Sequence, residues 1–412
     1  MESEGGPANR TAPPKLYQSR SAPYHRRATV MRRPVRCIHY HRVDRHARDH
    51  PRGSRLSPDT AIRKVLIYRL GSLGDTVVAL PCLHLLARAF PDAERVLLTN
   101  FPVNAKAPAA ATVLGESGLV QGYMRYTVGT RQAGELLRLA WQIRRFAPDL
   151  LVYLMPLRAW SNVRRDRIFF KLAGVRRIVG LPGRQDMTRR FDRATGLYES
   201  EATRLAKAIA ELGDAHPEDL ANWDPQLSAE EKETATRALA PLASMPLIVC
   251  APDCKMQAND WERENWRALL GRLYRSYPGY GLVLAGAPDD AATCEFAAQD
   301  WLGPKLNLAG TLTPRESAAT FAHATVFLGP DSGPKHLAAC VGVPCVCVFG
   351  ARDLPGVWFP PGDRNQIVYH QPECFGCQLE TCIAQNKKCI RSVTVDEMEQ
   401  AVARVLAQPV TA

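Results

Sequence analysis

The stretch TVFLGPDSGPKHLAACVGVPCVCVFG, residues 325–350, decides the fold. Its apolar opening, bounded by Gly329-Pro330, reads as a short buried strand. Gly329-Pro330-Asp331-Ser332-Gly333 is a sharp turn, the Ala/Leu-rich run after it reads as a helix, and PCVCVFG reads as the strand beyond. A strand that turns through glycine into a helix leaves the first helical N–H groups without partners. Those groups and the helix dipole attract an anion, above all a phosphate. Gly333 has no Cβ, so a ligand can approach the backbone closely. Ser332 offers a hydroxyl, and His336, one turn into the helix, offers a further donor. Asp331 can bind sugar hydroxyls but repels a phosphate placed directly before it. The pattern suits a ligand with a polyol part and a phosphate part. A plain helix cap by Asp331 or Ser332, with His336 merely packed, fits the same letters.

The first half of the chain carries a parallel device. LIYRLGSLGDTVVALP, residues 66–81, places Gly71, Ser72, Gly74 and Asp75 between a strand and a helix. It is not G-x-G-x-x-G, and no acid follows a clear second strand, which argues against a nicotinamide dinucleotide. Asp75 can cap the helix. Facing a cleft, it can also act as a general base, accepting a hydroxyl proton late in a displacement.

Around these turns, strands and helices alternate twice. KVLIYRL, RVLLTN, LLVYLMPL and RRIVGLP are the strands of the first series; MPLIVCAP, GLVLAG, LNLAG, TVFLG and PCVCVFG, the last, belong to the second. TVVALPCLHLLARAF reads as one helix. Ser228 with Glu231, and Thr394 with Glu397, form capping boxes before helices. The alternation predicts an α/β protein with two doubly wound parallel sheets and a ligand cleft between them. Three parts follow: a basic tail over 1–58, a first domain over 59–226 and a second over 227–412.

Charge separates these parts. The chain of 412 residues has a net charge of +12. Residues 1–60 hold 13 lysines and arginines against 5 acids, and residues 158–193 hold 11 against 3, so each segment is +8 and the remainder slightly acidic. Two basic segments suit phosphate-bearing partners, namely anionic lipid, a phosphorylated glycan or nucleic acid, and they also serve solubility. In the internal segment, Arg158 and Arg164 are candidates for an anionic acceptor, with solvated arginines as the plain alternative. The opening MESEGGPANR lacks an apolar signal core, and no apolar run approaches the ~18–20 residues of a membrane span. Together with cysteines inside apolar runs (Cys250, Cys340, Cys345, Cys347), this points to the cytoplasm.

Cys374, Cys377, Cys382 and Cys389 are spaced C-x2-C-x4-C-x6-C. Four thiolates on one segment can close a tetrahedral structural site for zinc or iron, with no open position for catalysis. Reduced structural cysteines are the alternative, since the second pair is spaced irregularly.

Three segments together resemble glycosyltransferase family 9, the ADP-heptose:lipopolysaccharide heptosyltransferases. They are VLIYRLGSLGDTVVALPCLHLLARAFP, LAGTLTPRESAATFAHATVFLGPDSGPKHLAACVGVPCVCVFG and CFGCQLETCIAQNKKCIRSVTVDEMEQAV, the second being the strongest. The resemblance implies a GT-B fold, with the acceptor on the first domain and the nucleotide sugar on the second. It implies an inverting transfer that requires no cofactor, from an ADP-sugar to an anionic glycan such as lipopolysaccharide core, at the inner face of a Gram-negative cytoplasmic membrane. A peripheral contact with that anionic membrane follows; a nucleic-acid partner does not. By the same resemblance Asp75 matches the candidate base, and Asp331, Ser332, Gly333 and His336 match the donor-binding motif. Gly71, Ser72 and Gly74 form the acceptor-side loop.

One stretch departs from the family. Many members carry a basic residue just before a Trp-Pro pair after the first strand of the second domain. Here APDCKMQANDWERENW, residues 251–266, has Asn259-Asp260 before Trp261, and Lys255 is the nearest substitute for the phosphate cation. Two rivals remain. A nucleotide-sugar epimerase would use the same fold without an acceptor. A nucleic-acid or membrane-binding protein would use the tail, with steep salt dependence.

Overall fold

The computed structural model describes residues 62–100, 110–126, 130 and 132–408, all within one compact unit. The basic tail over 1–58 lies outside the described residues.

The first sheet holds five parallel strands: β1 (Lys64–Tyr68), β2 (Glu94–Asn100), β3 (Gly122–Tyr126), β4 (Leu150–Tyr153) and β5 (Ile178–Val179), in the order β3-β2-β1-β4-β5. A small hairpin, β6 (Phe191–Asp192) and β7 (Leu197–Tyr198), follows. The second sheet holds β8 (Leu247–Cys250), β9 (Gly281–Leu284), β10 (Lys305–Asn307), β11 (Val326–Pro330), β12 (Cys345–Phe349) and β13 (Gln366–Tyr369). Its order, β10-β9-β8-β11-β12-β13, is again parallel throughout. Both sheets are doubly wound and Rossmann-like, with the chain reversing direction beside β1 in one and β8 in the other. The strands are nearly continuous apolar runs because helices cover both faces.

Those helices are α1 (Leu73–Val77), α2 (Leu80–Ala89), α3 (Ala110–Leu114), α4 (Ala133–Phe146), α5 (Trp160–Leu172) and α6 (Glu201–Ala208) in the first half. In the second half they are α7 (Ala229–Leu239), α8 (Arg263–Ser276), α9 (Ala291–Ala297), α10 (Pro314–Phe321), α11 (Gly333–Cys340), α12 (Lys388–Arg391) and α13 (Val395–Leu406). Helices α4 and α5 bury Leu139, Ile143 and Phe170 with Tyr68 and Tyr153 on one face of the first sheet. The other face joins α1, α2 and α6 to α10 and α11 in a shared apolar cluster. Both capping boxes form: Glu231 N donates to Ser228 Oγ at 3.2 Å, and Glu397 N to Thr394 Oγ1 at 3.2 Å.

Two expectations are corrected. TVVALPCLHLLARAF is not one helix: α1 ends at Val77 and α2 starts at Leu80, because Pro81 has no N–H for a continuing helix and sits instead in a first turn. PCVCVFG is not the last strand, since β13 pairs with β12 beyond it. QIVY is only four residues long and sits between loops, so its pattern is too short to stand out.

Candidate functional site

The two turns singled out in the sequence lie at equivalent places. Each leaves the carboxyl end of a strand next to the switch point of its sheet, where open α/β sheets bind ligands. They face each other. A Cβ built on Gly74 would sit 2.6 Å from His336 Cδ2, and one on Gly333 would sit 3.3 Å from Leu73 Cδ2. Gly333 therefore serves the close approach of the facing loop.

Between the turns lies a cavity of about 590 Å³, in the range of small-ligand sites. Ser72, Gly74, Asp75, Lys255, Asp331, Ser332, Gly333 and His336 all line it. Gly71 lies just behind this wall. Its φ of +149° and a would-be Cβ 2.3 Å from Asp75 Cβ leave room for glycine and nothing larger. Asn100 at the end of β2 pins it, accepting from Gly71 N at 2.6 Å and donating to Gly71 O at 3.1 Å.

Asp75 both caps and faces the cavity. Its Oδ2 accepts from Ser72 N at 2.8 Å and from Ser72 Oγ at 2.9 Å. Its Oδ1 has the longer contact, 3.4 Å to Arg69 Nη2, and the side chain keeps 19% of its surface. Arg69 was not anticipated. It is buried just past the end of β1, donates to Asp75 O at 2.6 Å and 2.9 Å, and reaches Leu154 O just past β4. Behind it Glu201, fully buried, accepts from Arg189 and Arg204 and pairs with Arg69 at 3.4 Å. Burial works against the Glu201 charge, but Arg204, Arg69 and Arg189 outweigh it and hold the carboxyl at about 2.

The second turn is built differently. Asp331 Oδ1 accepts from Lys335 Nζ at 2.6 Å, and the same ammonium donates to Trp358 O at 2.6 Å and lies over the Phe349 ring. Burial raises the Asp331 pKa and Lys335 opposes the rise. The aspartate is thus tied to a buried cation rather than presented as a free charge. Lys335 also escaped the sequence reading, although its position four residues after Asp331 in a helix was the available signal. Burial and the neighbouring ammonium push His336 well below its ordinary pKa, so its imidazole is neutral. Ser332 Oγ and Asn259 Oδ1, both on cavity-lining residues, are buried without a hydrogen-bond partner. Asn259 Nδ2 donates to Asp331 O at 3.1 Å, locking the β8 loop to the turn.

Among the described residues lining the cavity, the lysines and arginines are Lys255 and Arg352. Arg352 is paired with Asp353 and hydrogen-bonded to Leu379 O, while Lys255 is exposed on the wall. Ala285, Leu312, Phe321 and Leu337 add an apolar part to the lining.

Arg158 and Arg164 do not line this cavity. Arg158 donates to Asp166 Oδ2 at 2.8 Å, and Arg164 is exposed on α5. The four cysteines Cys374, Cys377, Cys382 and Cys389 lie within the described residues. Among the described residues, no three His, Cys, Asp or Glu side chains gather in a group that could hold a metal. Cys377 is exposed and Cys382 buried, and Cys389 Sγ lies toward Gly350. Cys374 interacts electrostatically with both Cys377 and Cys389, so these three thiols are near one another.

Residues 196–388 match the family model described as glycosyltransferase family 9 (heptosyltransferase). The chain is 33% identical over 125 residues to lipopolysaccharide heptosyltransferase 3 of Escherichia coli, which is 30% of this chain and 36% of that protein. It is 26% identical over 341 residues to lipopolysaccharide heptosyltransferase 1 of Pseudomonas aeruginosa, covering 78% of this chain and 88% of that one. It is also 27% identical over 164 residues to lipopolysaccharide heptosyltransferase 3 of E. coli strain K12, so the aligned stretches span 36% and 46% of the two E. coli relatives. Among solved structures, E. coli ADP-heptose lps heptosyltransferase II superposes with a TM-score of 0.57 at 18% identity, covering 83% of this chain and 98% of that one. At that identity the likeness establishes the fold, the two-lobed GT-B arrangement that the sheets display.

Proposed function

The chain belongs to glycosyltransferase family 9, and on that premise we propose that it is an inverting glycosyltransferase acting on a nucleotide sugar. The donor is an ADP-sugar carrying a heptose-like residue, and the acceptor is an anionic glycan of the lipopolysaccharide-core class. One observation carries the reading. A carboxylate at one switch point and an unpaired serine hydroxyl at the helix start of the other line one cavity.

Each residue has a role in this reading. The nucleoside lies against Ala285, Leu312 and Phe321. The diphosphate sits at the start of α11, where the first N–H groups, Ser332 Oγ and Lys255 stabilise the charge that grows as the phosphate leaves. Pairing with Lys335 neutralises Asp331, which would otherwise repel that charge. Asp75 takes the acceptor hydroxyl proton while the oxygen attacks the anomeric carbon from the opposite face, inverting it. A neutral His336 supplies one N–H or one lone pair beside Gly74. The reading assigns charge stabilisation to these groups and calls on no cofactor.

The acceptor lobe spans 59–226 and the donor lobe 227–412. Contacts of α6 with α2, and of α7 with α10, support a changeover near that boundary. Among the described residues, no helix is long and apolar enough to cross a membrane. On the proposed reading, a membrane-embedded acceptor is met from the surface, at the cytoplasmic face.

The test is calorimetric titration with ADP, UDP, GDP, CMP and NAD. Selective ADP binding, weakened in Gly333→Val where the new side chain crowds both Leu73 and the helix start, is the expected result. Selective UDP or GDP binding would move the donor to another class, and absence of nucleotide binding would overturn the reading.

A further inference from the structure

We propose that the outward face of α4 and α5 is a docking surface for an anionic lipid bilayer. The inference extends the reading above by naming a partner surface, yet it stands on different residues. Both helices cover one face of the first sheet, and Arg144 Nη2 donates to Leu172 O at 2.9 Å, tying their carboxyl ends side by side. Their inner stripes are buried. Their outer stripes should then be polar, and they are not. Leu137 is 70% exposed, Trp141 59%, Ile168 55% and Leu172 73%. Each helix carries its pair four residues apart, so the exposed side chains form two apolar stripes on one layer.

The charge around these stripes is of one sign. Residues 133–177 hold ten lysines and arginines against three acids, and the acids are turned away from the surface or already bonded. Asp166 is buried and paired with Arg158 and Arg165. Asp149 accepts from the backbone of Arg63 and Lys64, and Glu135 Oε2 is itself buried. The Arg145 guanidinium lies 5.5 Å from the Trp141 ring, while Arg164 and Lys171 stay exposed beside Ile168 and Leu172. An interfacial Trp, aliphatic side chains that can enter the headgroup boundary and a fringe of arginine and lysine together complement an anionic membrane. Nucleic acid would use the arginines and stack on Trp141, but it has no use for exposed Ile168, Leu137 and Leu172.

The experiment is co-sedimentation of the full-length protein with phosphatidylcholine vesicles, with and without about 30% phosphatidylglycerol. Binding is expected to the anionic vesicles, persisting in part at high salt, with a blue shift of tryptophan emission that Trp141→Phe removes. Leu137→Ser combined with Leu172→Ser should lower the partition coefficient by about tenfold while leaving ADP titration unchanged. Equal binding to neutral vesicles overturns the proposal. So does binding that salt abolishes and the double variant leaves intact, which would assign it to charge elsewhere in the chain. Tighter, vesicle-independent capture of single-stranded RNA also overturns it. With seven tryptophans in the chain, the shift is assigned to Trp141 by the difference between the unaltered protein and Trp141→Phe, and unchanged ADP titration shows that each variant has folded. Loss of ADP binding with vesicle docking intact would sink the catalytic reading and leave this surface standing.

Discussion

The turns before α1 and α11 have the same shape and opposite electrostatics. Each runs from a strand end through glycine and serine into a helix at a switch point. Before α1, the acid sits inside the first turn of a five-residue helix, caps it through Ser72, and keeps one carboxylate oxygen lightly engaged. Before α11, the acid precedes the helix, is bound by buried Lys335, and leaves a serine hydroxyl and the first N–H groups as the open features. On the proposed reading, a shift of a few residues in where the carboxylate falls separates a base from an anion cradle. Backbone geometry supplies the platform, and the nearest cation decides the sign of what the platform offers.

Four measurements break or sharpen this contrast. The largest expected effect is at Asp75. Asp75→Asn keeps a hydrogen-bonding shape but removes the proposed base, so kcat should fall by about 10²–10⁴-fold with ADP affinity nearly unchanged. Normal turnover in that variant would make Asp75 a cap and nothing more.

Next is Lys335→Met, which strands a buried carboxylate. Unfolding free energy at neutral pH should drop by about 3 kcal/mol or more, as read by denaturant titration. Burial already raises the Asp331 pKa in the folded protein, and the variant raises it further. Protonation then favours the folded variant, so its deficit should shrink as pH falls toward ~4, where the unfolded carboxyl also titrates. A deficit independent of pH would point to lost packing against Phe349 instead.

Ser332→Ala should cost ADP binding about fivefold, the worth of about one neutral hydrogen bond. It should leave the free protein as stable as before or slightly more so, because the hydroxyl is buried without a partner. Unchanged ADP affinity would remove Ser332 from the cradle.

The smallest signal is at His336. Its pKa is depressed by burial first and by Lys335 second, so its ring proton shift in NMR should stay flat over roughly pH 5.5–8. The unfolded imidazole takes up a proton near pH ~6.5 that the folded one refuses, so this residue costs stability as pH drops below that value. A titration midpoint near neutrality would contradict the buried neutral ring.

Much of the architecture was legible because parallel strands buried on both faces write themselves as short apolar runs, and glycine turns punctuate them. LLVY, GLVL and CVCVF were visible for that reason, and so were both capping boxes, whose partners lie three residues apart. QIVY and the break between α1 and α2 were less visible, because four residues carry little periodicity and Pro81 is compatible with more than one helix position. In the site, Asp75 and the Asp331–His336 run were legible as local motifs. Arg69, Glu201 and Arg204 were not, since they lie up to 135 positions apart in the chain and meet only where β1, β4 and α6 converge.

The sequence by itself determined the doubly wound halves, the two strand-to-helix turns and the residues standing in them, because these depend on neighbours within a few positions. The tertiary structure decided what those residues do. It placed Gly74 against His336, matched Asp331 with a cation and left Ser332 without a partner. It set Arg158 against Asp166 and away from the cavity. Charge and hydrogen-bond state are set by groups brought together across the chain in a low-dielectric interior, where one buried ammonium or one missing partner outweighs any local preference.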